Sequence, residues 1–191
     1  MDNSTAPLTN REIEALARRI DRPIVLVGMM GVGKTSVGKR LAAALGSTFV
    51  DAVEAIETAA RMTIPEIFEQ YGEAAFRDGE RRVIARLIEQ GGKRSVIATG
   101  GGAISNPETR AQILERTIAV WLDSDIDTLV ERTARKNNRP LLQNGDRRET
   151  LTRLHAEREG DYAQAHIHVM SDLGPQTRTV DTVLKGIAEW L

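Results

Sequence analysis

The sequence predicts an α/β domain in which a parallel sheet is covered by helices on both faces. Short apolar runs rich in β-branched residues, such as residues 24–27, recur along the chain and suit buried parallel strands. Segments with apolar residues at helical spacing lie between these runs. Strands that alternate with helices favour a parallel sheet with helical crossovers, so we expect an α/β fold.

Length and composition limit the possible functions. The chain has 191 residues, which suits one domain, and 41% of them are hydrophobic, which is enough for a core. Lys and Arg number 26 against 27 Asp and Glu, so no general charge attracts nucleic acid or membranes. The absence of cysteine excludes disulfides and thiol catalysis. We therefore expect a cytoplasmic monomer that binds small molecules, with no nucleic acid or membrane partner.

The strongest motif follows the first predicted strand. Residues 28–35 read Gly-Met-Met-Gly-Val-Gly-Lys-Thr, which matches the G-x-x-x-x-G-K-[ST] pattern of a phosphate-binding loop. Lys34 would reach the outer phosphates and Thr35 would offer its hydroxyl to Mg²⁺. A glycine-rich turn could match by chance, but a strand precedes this one and a helix follows it. The predicted ATP contacts here are Gly31, Val32, Gly33, Lys34, Thr35 and Ser36.

Residues 1–22 are interpreted as an N-terminal extension, and residues 23–191 as a single P-loop domain. A Thr9–Glu12 capping box predicts a short helix over residues 11–20. The phosphate-binding helix is expected over residues 36–45, with Gly46 as its C-cap. We assign no chemistry to the N-terminal helix.

Asp51 ends the second predicted strand, residues 48–51. An acid at the carboxyl end of a strand beside a phosphate loop is a candidate ligand for Mg²⁺ or its water. Asp51 can equally cap the next predicted helix, residues 52–60. The two roles are compatible, and Thr35 and Asp51 are the predicted metal-site residues.

Two helices are predicted next, over residues 64–71 and 73–89, with Gly72 between them. Arg77 lies on the second, where spacing alone favours a solvated charge over a ligand contact. The strand at residues 95–99 precedes Gly100, Gly101 and Gly102. Three glycines there either permit a ligand close to the backbone or form a tight turn.

The remainder of the chain contains strands at residues 118–122 and 167–170 and helices at 123–135, 149–162 and 177–191. Residues 133–148 are polar and rich in arginine, which suits either a lid that closes over phosphates or an ordinary surface loop. Arg132 and Arg139 are the notable charges of this region.

From about residue 23 to 191 the chain resembles the shikimate kinase family, a group of small P-loop kinases similar to nucleoside-monophosphate kinases. The resemblance depends on several motifs in the family's order and spacing. These are the phosphate loop, Phe49-Val50-Asp51 with Ile56-Glu57, Ile67-Phe68, Gly72-Glu73, Phe76-Arg77, Thr99-Gly100-Gly101-Gly102-Ala103, Arg139-Pro140-Leu141-Leu142, and Arg158 four residues before Tyr162.

The resemblance implies a five-stranded parallel sheet in the order 2-3-1-4-5. It also implies Mg²⁺-dependent transfer of the ATP γ-phosphate to the 3-hydroxyl of shikimate, on the route to chorismate and the aromatic amino acids. Substrate-binding elements would lie at about residues 51–80 and the lid at about 133–148.

The resemblance also implies roles for individual residues. Arg77 and Arg158 would bind the substrate carboxylate, which guanidinium groups match in shape and charge. Backbone at Gly101 and Gly102 would contact the same substrate. Arg132 would lie near the nucleotide. The implied catalytic residues are Lys34, Asp51 and Arg139, the last of which would move with the lid and neutralise phosphate charge.

Two positions depart from the family pattern. The family normally has Asp-x-Asp where this chain has Asp51, Ala52 and Val53, and the second Asp usually binds substrate hydroxyls and accepts a proton. Val53 can do neither, and it is the substrate-site residue that we expect to alter binding. Arg61 occupies a position where the family usually has Gly and a left-handed cap. Three functions therefore remain open: a shikimate kinase, a kinase for another carboxylate-bearing acceptor, and an ATP-binding protein with impaired turnover.

Overall fold

The computed structural model describes residues 6–134, 142 and 145–191, and it confirms the predicted sheet. Five parallel strands pair in the order β2-β3-β1-β4-β5. Their bounds are β1 (Ile24–Val27), β2 (Phe49–Asp51), β3 (Val96–Ala98), β4 (Ile118–Asp123) and β5 (Ile167–Met170). Each strand lies within one or two residues of its prediction.

Eight α-helices occur in the described part of the chain. They are α1 (Asn10–Arg19), α2 (Lys34–Leu45), α3 (Ala52–Ala60), α4 (Ile64–Gln90), α5 (Pro107–Arg116), α6 (Ile126–Ala134), α7 (Arg147–Tyr162) and α8 (Gln176–Trp190). Helix α5 lies between the glycine triplet and β4, where no helix was predicted. The sequence does contain a start signal for α5. The Asn106 side chain accepts a hydrogen bond from the Thr109 amide as an N-cap, and Pro107 follows in the first turn, where proline is favoured.

Helix α4 contains a break at Gly72, where the backbone has φ 79° and ψ 172°. This break divides the segment into the two helices that the sequence predicted. In the short connection between α3 and α4, Arg61 ends α3 in the left-handed conformation, with φ 54° and ψ 35°. These conformations shape the α3–α4 region that flanks the sheet.

Strands β1, β3 and β4 are almost wholly buried and form the centre of the core. Leu16 and Ala17 of helix α1 and Ile20 at its C-cap pack on this core, so the N-terminal extension is part of the folded domain. Because all strands are parallel, the loops after β1, β2 and β3 meet at one edge of the sheet. Within the described ranges, no helix combines the length and apolar character needed to span a bilayer.

Candidate active site

A cleft of about 690 Å³ lies at the carboxyl edge of the sheet, between the phosphate loop and helices α3, α4 and α7. Its lining includes most of the sequence-predicted site residues that the structure describes, namely Gly31, Gly33, Lys34, Thr35, Ser36, Asp51, Val53, Arg77, Gly101, Gly102, Arg132 and Arg158. Val32, also in the loop, is fully buried and is not among the lining residues. Arg139, predicted for catalysis and ATP binding, lies outside the described residues, as does most of the predicted lid.

The phosphate loop has the backbone that its glycines predict. Gly31 and Gly33 have φ angles of 86° and 102°, which residues with a side chain rarely adopt. The Lys34 ammonium donates to the carbonyls of Gly28 at 2.7 Å and Met29 at 2.9 Å. These bonds hold a buried positive charge across the loop at the N-terminus of α2, which is a favourable place for an anion.

The structure confirms that Asp51 caps α3, while its predicted role as a metal ligand stays a prediction. One carboxylate oxygen accepts from the Val53 amide at 3.0 Å and caps α3. The other accepts from the Thr35 hydroxyl at 2.7 Å. The acidic end of β2 is therefore joined to the first turn of α2, and two oxygen ligands suitable for Mg²⁺ converge there.

Arg132 crosses from α6 to the outer side of the phosphate loop. Its guanidinium donates to the Val32 carbonyl at 3.1 Å, to the Ser171 hydroxyl at 3.3 Å and to the Asp172 carbonyl. These contacts join the loop to the segment after β5 and place a positive charge beside the phosphate loop.

The other end of the cleft contains a pair of arginines and a buried acid. Arg77 contacts Glu80 at 2.8 Å and Glu73 at 3.2 Å, both on its own helix. Burial raises the pKa of Glu80, an effect that the charge of Arg77 partly opposes. Within the part of the chain that the structure describes, Glu80 Oε1 and Arg158 Nη1 are buried without hydrogen-bond partners. Unsatisfied buried polar atoms facing a cleft favour a polar ligand there.

The glycine triplet lies between α4 and α7 and contacts both. A side chain at Gly100 would collide with the Glu80 carboxylate. A Cβ at Gly101 would lie 3.1 Å from the Met30 amide and 3.7 Å from Arg158 Nη1, and one at Gly102 would lie 2.7 Å from Arg77 Nη1. The glycines therefore allow the backbone to approach both arginines, which favours the ligand-approach interpretation over a simple tight turn.

Val53 lies in the first turn of α3 and presents an apolar surface to the cleft between Asp51 and the arginines. Its Cγ2 atom lies 3.8 Å from the position of a Cβ on Gly100. A polar group of a ligand placed against Val53 would lose water without gaining a hydrogen bond from this side chain.

Comparisons with known proteins agree with this architecture. The family model described as shikimate kinase matches residues 30–188. The chain belongs to the shikimate kinase family. A shikimate kinase from Novosphingobium aromaticivorans is 60% identical over 193 residues and covers 100% of both chains. One from Rhodopseudomonas palustris is 48% identical over 181 residues, which cover 95% of this chain and 88% of the relative.

Solved structures support the same assignment. A shikimate kinase from Acinetobacter baumannii, determined in complex with shikimate, has a TM-score of 0.86 and 36% identity, with 95% of this chain and 98% of that chain covered. One from Aquifex aeolicus has a TM-score of 0.76 and 32% identity, with coverage of 87% and 96%. Family membership makes the chain a P-loop phosphotransferase.

Glu80 and Gln176 also line the cleft of this kinase, and the sequence did not single out either residue. Glu80 lies three residues after Arg77, and this spacing could have indicated a partner on the same helical face. Gln176 follows β5 by several residues, and only the fold brings it to the phosphate loop.

Proposed function

We propose that the enzyme transfers the γ-phosphate of ATP to the 3-hydroxyl of shikimate. One observation carries this proposal: a single cleft connects the phosphate loop with Arg77 and Arg158. The two arginines come from α4 and α7, 81 positions apart in the chain, and both lie against the glycine triplet. This arrangement suits a small acceptor that has a carboxylate at one end and a hydroxyl near the phosphates.

The nucleotide end would hold the ATP phosphates by backbone amides of the loop and by Lys34. The Thr35 hydroxyl and the Asp51 carboxylate are the residues that would hold Mg²⁺, directly or through water, and their 2.7 Å contact shows that they converge. Bound there, the ion would neutralise charge on the phosphates. Arg132 would add positive charge beside the nucleotide, and we keep Arg139 as a proposed catalytic residue.

At the acceptor end, the proposal assigns carboxylate binding to Arg77 and Arg158. The Arg158 Nη1 atom is buried without a partner among the described residues, so a carboxylate oxygen would satisfy it. Glu80 holds Arg77 in place before substrate arrives. Backbone at Gly101 and Gly102 would border the same carboxylate.

Asp51 is the proposed acceptor of the hydroxyl proton, since Val53 has no basic group. Phosphoryl transfer depends mainly on alignment of the reactants and neutralisation of charge. Lys34, Arg132 and the acceptor arginines can supply both without a carboxylate at position 53. We therefore expect shikimate turnover with reduced efficiency.

Val53 also favours a second candidate function, phosphorylation of a cyclic carboxylate that lacks the hydroxyl nearest this side chain. Such an acceptor would keep the arginine contacts and would place an apolar ring carbon against Val53. A third possibility is a protein that binds ATP and shikimate without turnover.

The three candidates are separated by comparing binding with turnover. Calorimetry would measure the affinity for ATP and for shikimate, and a coupled ADP assay would measure kcat/KM for shikimate and for its analogues that each lack one ring hydroxyl. The main proposal predicts the highest kcat/KM with shikimate. A higher value with one deoxy analogue would favour the second candidate, and tight binding without ADP would favour the third.

We also propose that the enzyme acts as a monomer in the cytoplasm, where ATP is available. The phosphate loop, Arg77 and Arg158 of one chain line the same cleft, and this supports the proposal of a monomer. Light scattering at assay concentrations would test the oligomeric state.

A further inference from the structure

Helix α7 contacts the glycine triplet with two side chains that lie one helical turn apart. Arg158 approaches Gly101 from the cleft, and Tyr162 donates its hydroxyl hydrogen to the Gly101 carbonyl. Residues four apart share a helix face, so the same face presents a charged group and a neutral donor to one peptide. The contact joins positions 61 residues apart in the sequence.

The Tyr162 ring is fixed by its surroundings. The side chain is fully buried, and its ring stacks on Trp121 of β4 with centroids 5.8 Å apart and planes 19° apart. Trp121 in turn stacks on His168 of β5 at 4.0 Å. Because close packing limits movement of the ring, the phenol oxygen has a defined position relative to the sheet.

The hydroxyl remains a hydrogen-bond donor at physiological pH. Burial raises the pKa of Tyr162 to about 12, and the positive charge of Arg158 opposes this effect only in part. The Gly101 carbonyl can only accept, so the direction of this bond is fixed.

We propose that Tyr162 is a positioning residue for the acceptor substrate, because it holds the Gly101–Gly102 peptide in the orientation that the arginine pair requires. No cis peptide occurs in the described chain, and in a trans peptide the carbonyl and the following amide point in opposite directions. Anchoring the Gly101 carbonyl to α7 therefore turns the Gly102 amide away from Tyr162. Gly102 itself lies against Arg77, the proposed carboxylate ligand.

This role rests on the proposed function, because it assigns the bound carboxylate to the triplet and the arginines. Glycines alone would leave this backbone free to adopt several conformations. Attachment to a packed aromatic ring removes that freedom before substrate binds, and such preorganisation lowers the cost of binding. The effect is expected on acceptor affinity, with little effect on the nucleotide.

Tyr162→Phe tests the proposal, because it removes the hydroxyl and keeps the stacked ring. We expect the KM and Kd for shikimate to rise about tenfold, the usual effect of one buried hydrogen bond, while kcat and the KM for ATP change less than about twofold. The control is Thr182→Val, which removes an exposed hydroxyl from α8, outside the lining of the cleft. The control should leave every parameter unchanged.

Amide hydrogen exchange supplies a readout without substrate. The Ala103 amide bonds to the Gly100 carbonyl at 3.2 Å and closes the turn that contains the triplet. In Tyr162→Phe its exchange should accelerate about tenfold, while amides in the middle of α7 keep their rates. A variant that merely loses stability would instead change both sets of amides.

Unchanged exchange at Ala103 would overturn the proposal, and so would faster exchange with an unchanged Kd for shikimate. Failure of the unsubstituted enzyme to bind shikimate would reject the proposed function, and the positioning role would fall with it. A selective loss of shikimate affinity together with faster exchange at the triplet would support the proposal.

Discussion

The two ends of the cleft are built in different ways. The nucleotide end is mostly one run of eight residues, and Lys34 bonds to carbonyls within that same run. The acceptor end combines the first turn of α3, the second half of α4, the glycine triplet and α7. The geometry of the phosphate loop is set by residues adjacent in the sequence. The geometry of the acceptor end depends on how elements distant in the sequence pack together.

The two positions that we expect to depart from the family pattern lie on α3 and at its C-cap, at the acceptor side of the cleft. Val53 faces the cleft, and Arg61 ends the helix on which Val53 lies. The phosphate loop shows no comparable change. We infer that the enzyme binds ATP as other family members do and that its recognition of the acceptor substrate differs. Substitutions at the two ends of the cleft should therefore have separate effects on ATP and on shikimate.

The largest effect is expected from Lys34→Met at the nucleotide end. Loss of the buried ammonium should lower kcat by about 10³-fold, because it removes a charge that would stabilise the transferring phosphate. Stopped-time ADP assays would measure this loss. Lys39→Met changes an exposed lysine of the same helix and should leave kcat nearly unchanged. Similar losses in both variants would contradict a specific role for Lys34.

Val53→Asp should have the next largest effect, and it should be a gain. A carboxylate between Asp51 and the arginines would bind a substrate hydroxyl and accept its proton, so kcat/KM for shikimate should rise about 10²-fold. Val53→Asn is the matched control, because it restores hydrogen bonding without a basic group. Equal gains in the two variants would show that hydroxyl binding matters and proton transfer does not.

Arg158→Met should affect the acceptor end alone. Loss of the buried guanidinium should raise the KM for shikimate about 10- to 100-fold, as expected for a hydrogen-bonded charge, with an unchanged KM for ATP. Steady-state kinetics with each substrate varied in turn would measure both constants. Arg153→Met removes an exposed arginine from the same helix and should change neither. A parallel rise in the KM for ATP would indicate that the two ends are not independent.

Arg61→Gly should give the smallest effect, a stability increase of about 1 kcal/mol, since a left-handed conformation is strained for residues with a Cβ. Another helix of the same chain shows that glycine suits this backbone conformation. Gly46 ends α2 with φ 59° and ψ 41°, close to the φ 54° and ψ 35° of Arg61. Urea unfolding would measure the change. Arg61→Ala keeps the Cβ and should give no such increase, so equal stabilisation by both would exclude backbone strain as the cause.

The sequence predicted most of the fold because its signals were local. Apolar β-branched runs marked β1, β3 and β4, shorter segments with apolar residues marked β2 and β5, and Gly72 marked the break in α4. Helix α5 was missed because Asn106 and Pro107 were not used as a start signal. The strand order came from the family resemblance, since alternation of strands and helices does not determine which strands are neighbours.

The candidate site was predicted less completely. The phosphate loop was recognised from its residue spacing and from the strand and helix that flank it, and Asp51 from its place at the end of a strand. Arg77 was assigned to the substrate only through the resemblance, because a charged residue on a helix is usually solvated. The burial of Glu80 and the contact between Tyr162 and Gly101 depend on how α4 and α7 pack against the triplet, which a single sequence does not reveal.

The central proposal is that the enzyme binds ATP at an unaltered phosphate loop and phosphorylates shikimate although position 53 is valine. It is tested most directly by ADP release from the unsubstituted enzyme with Mg²⁺ and ATP, measured with and without shikimate. The account predicts ADP release that depends on shikimate and saturates with its concentration. ATP binding together with ADP release that shikimate does not change would contradict it.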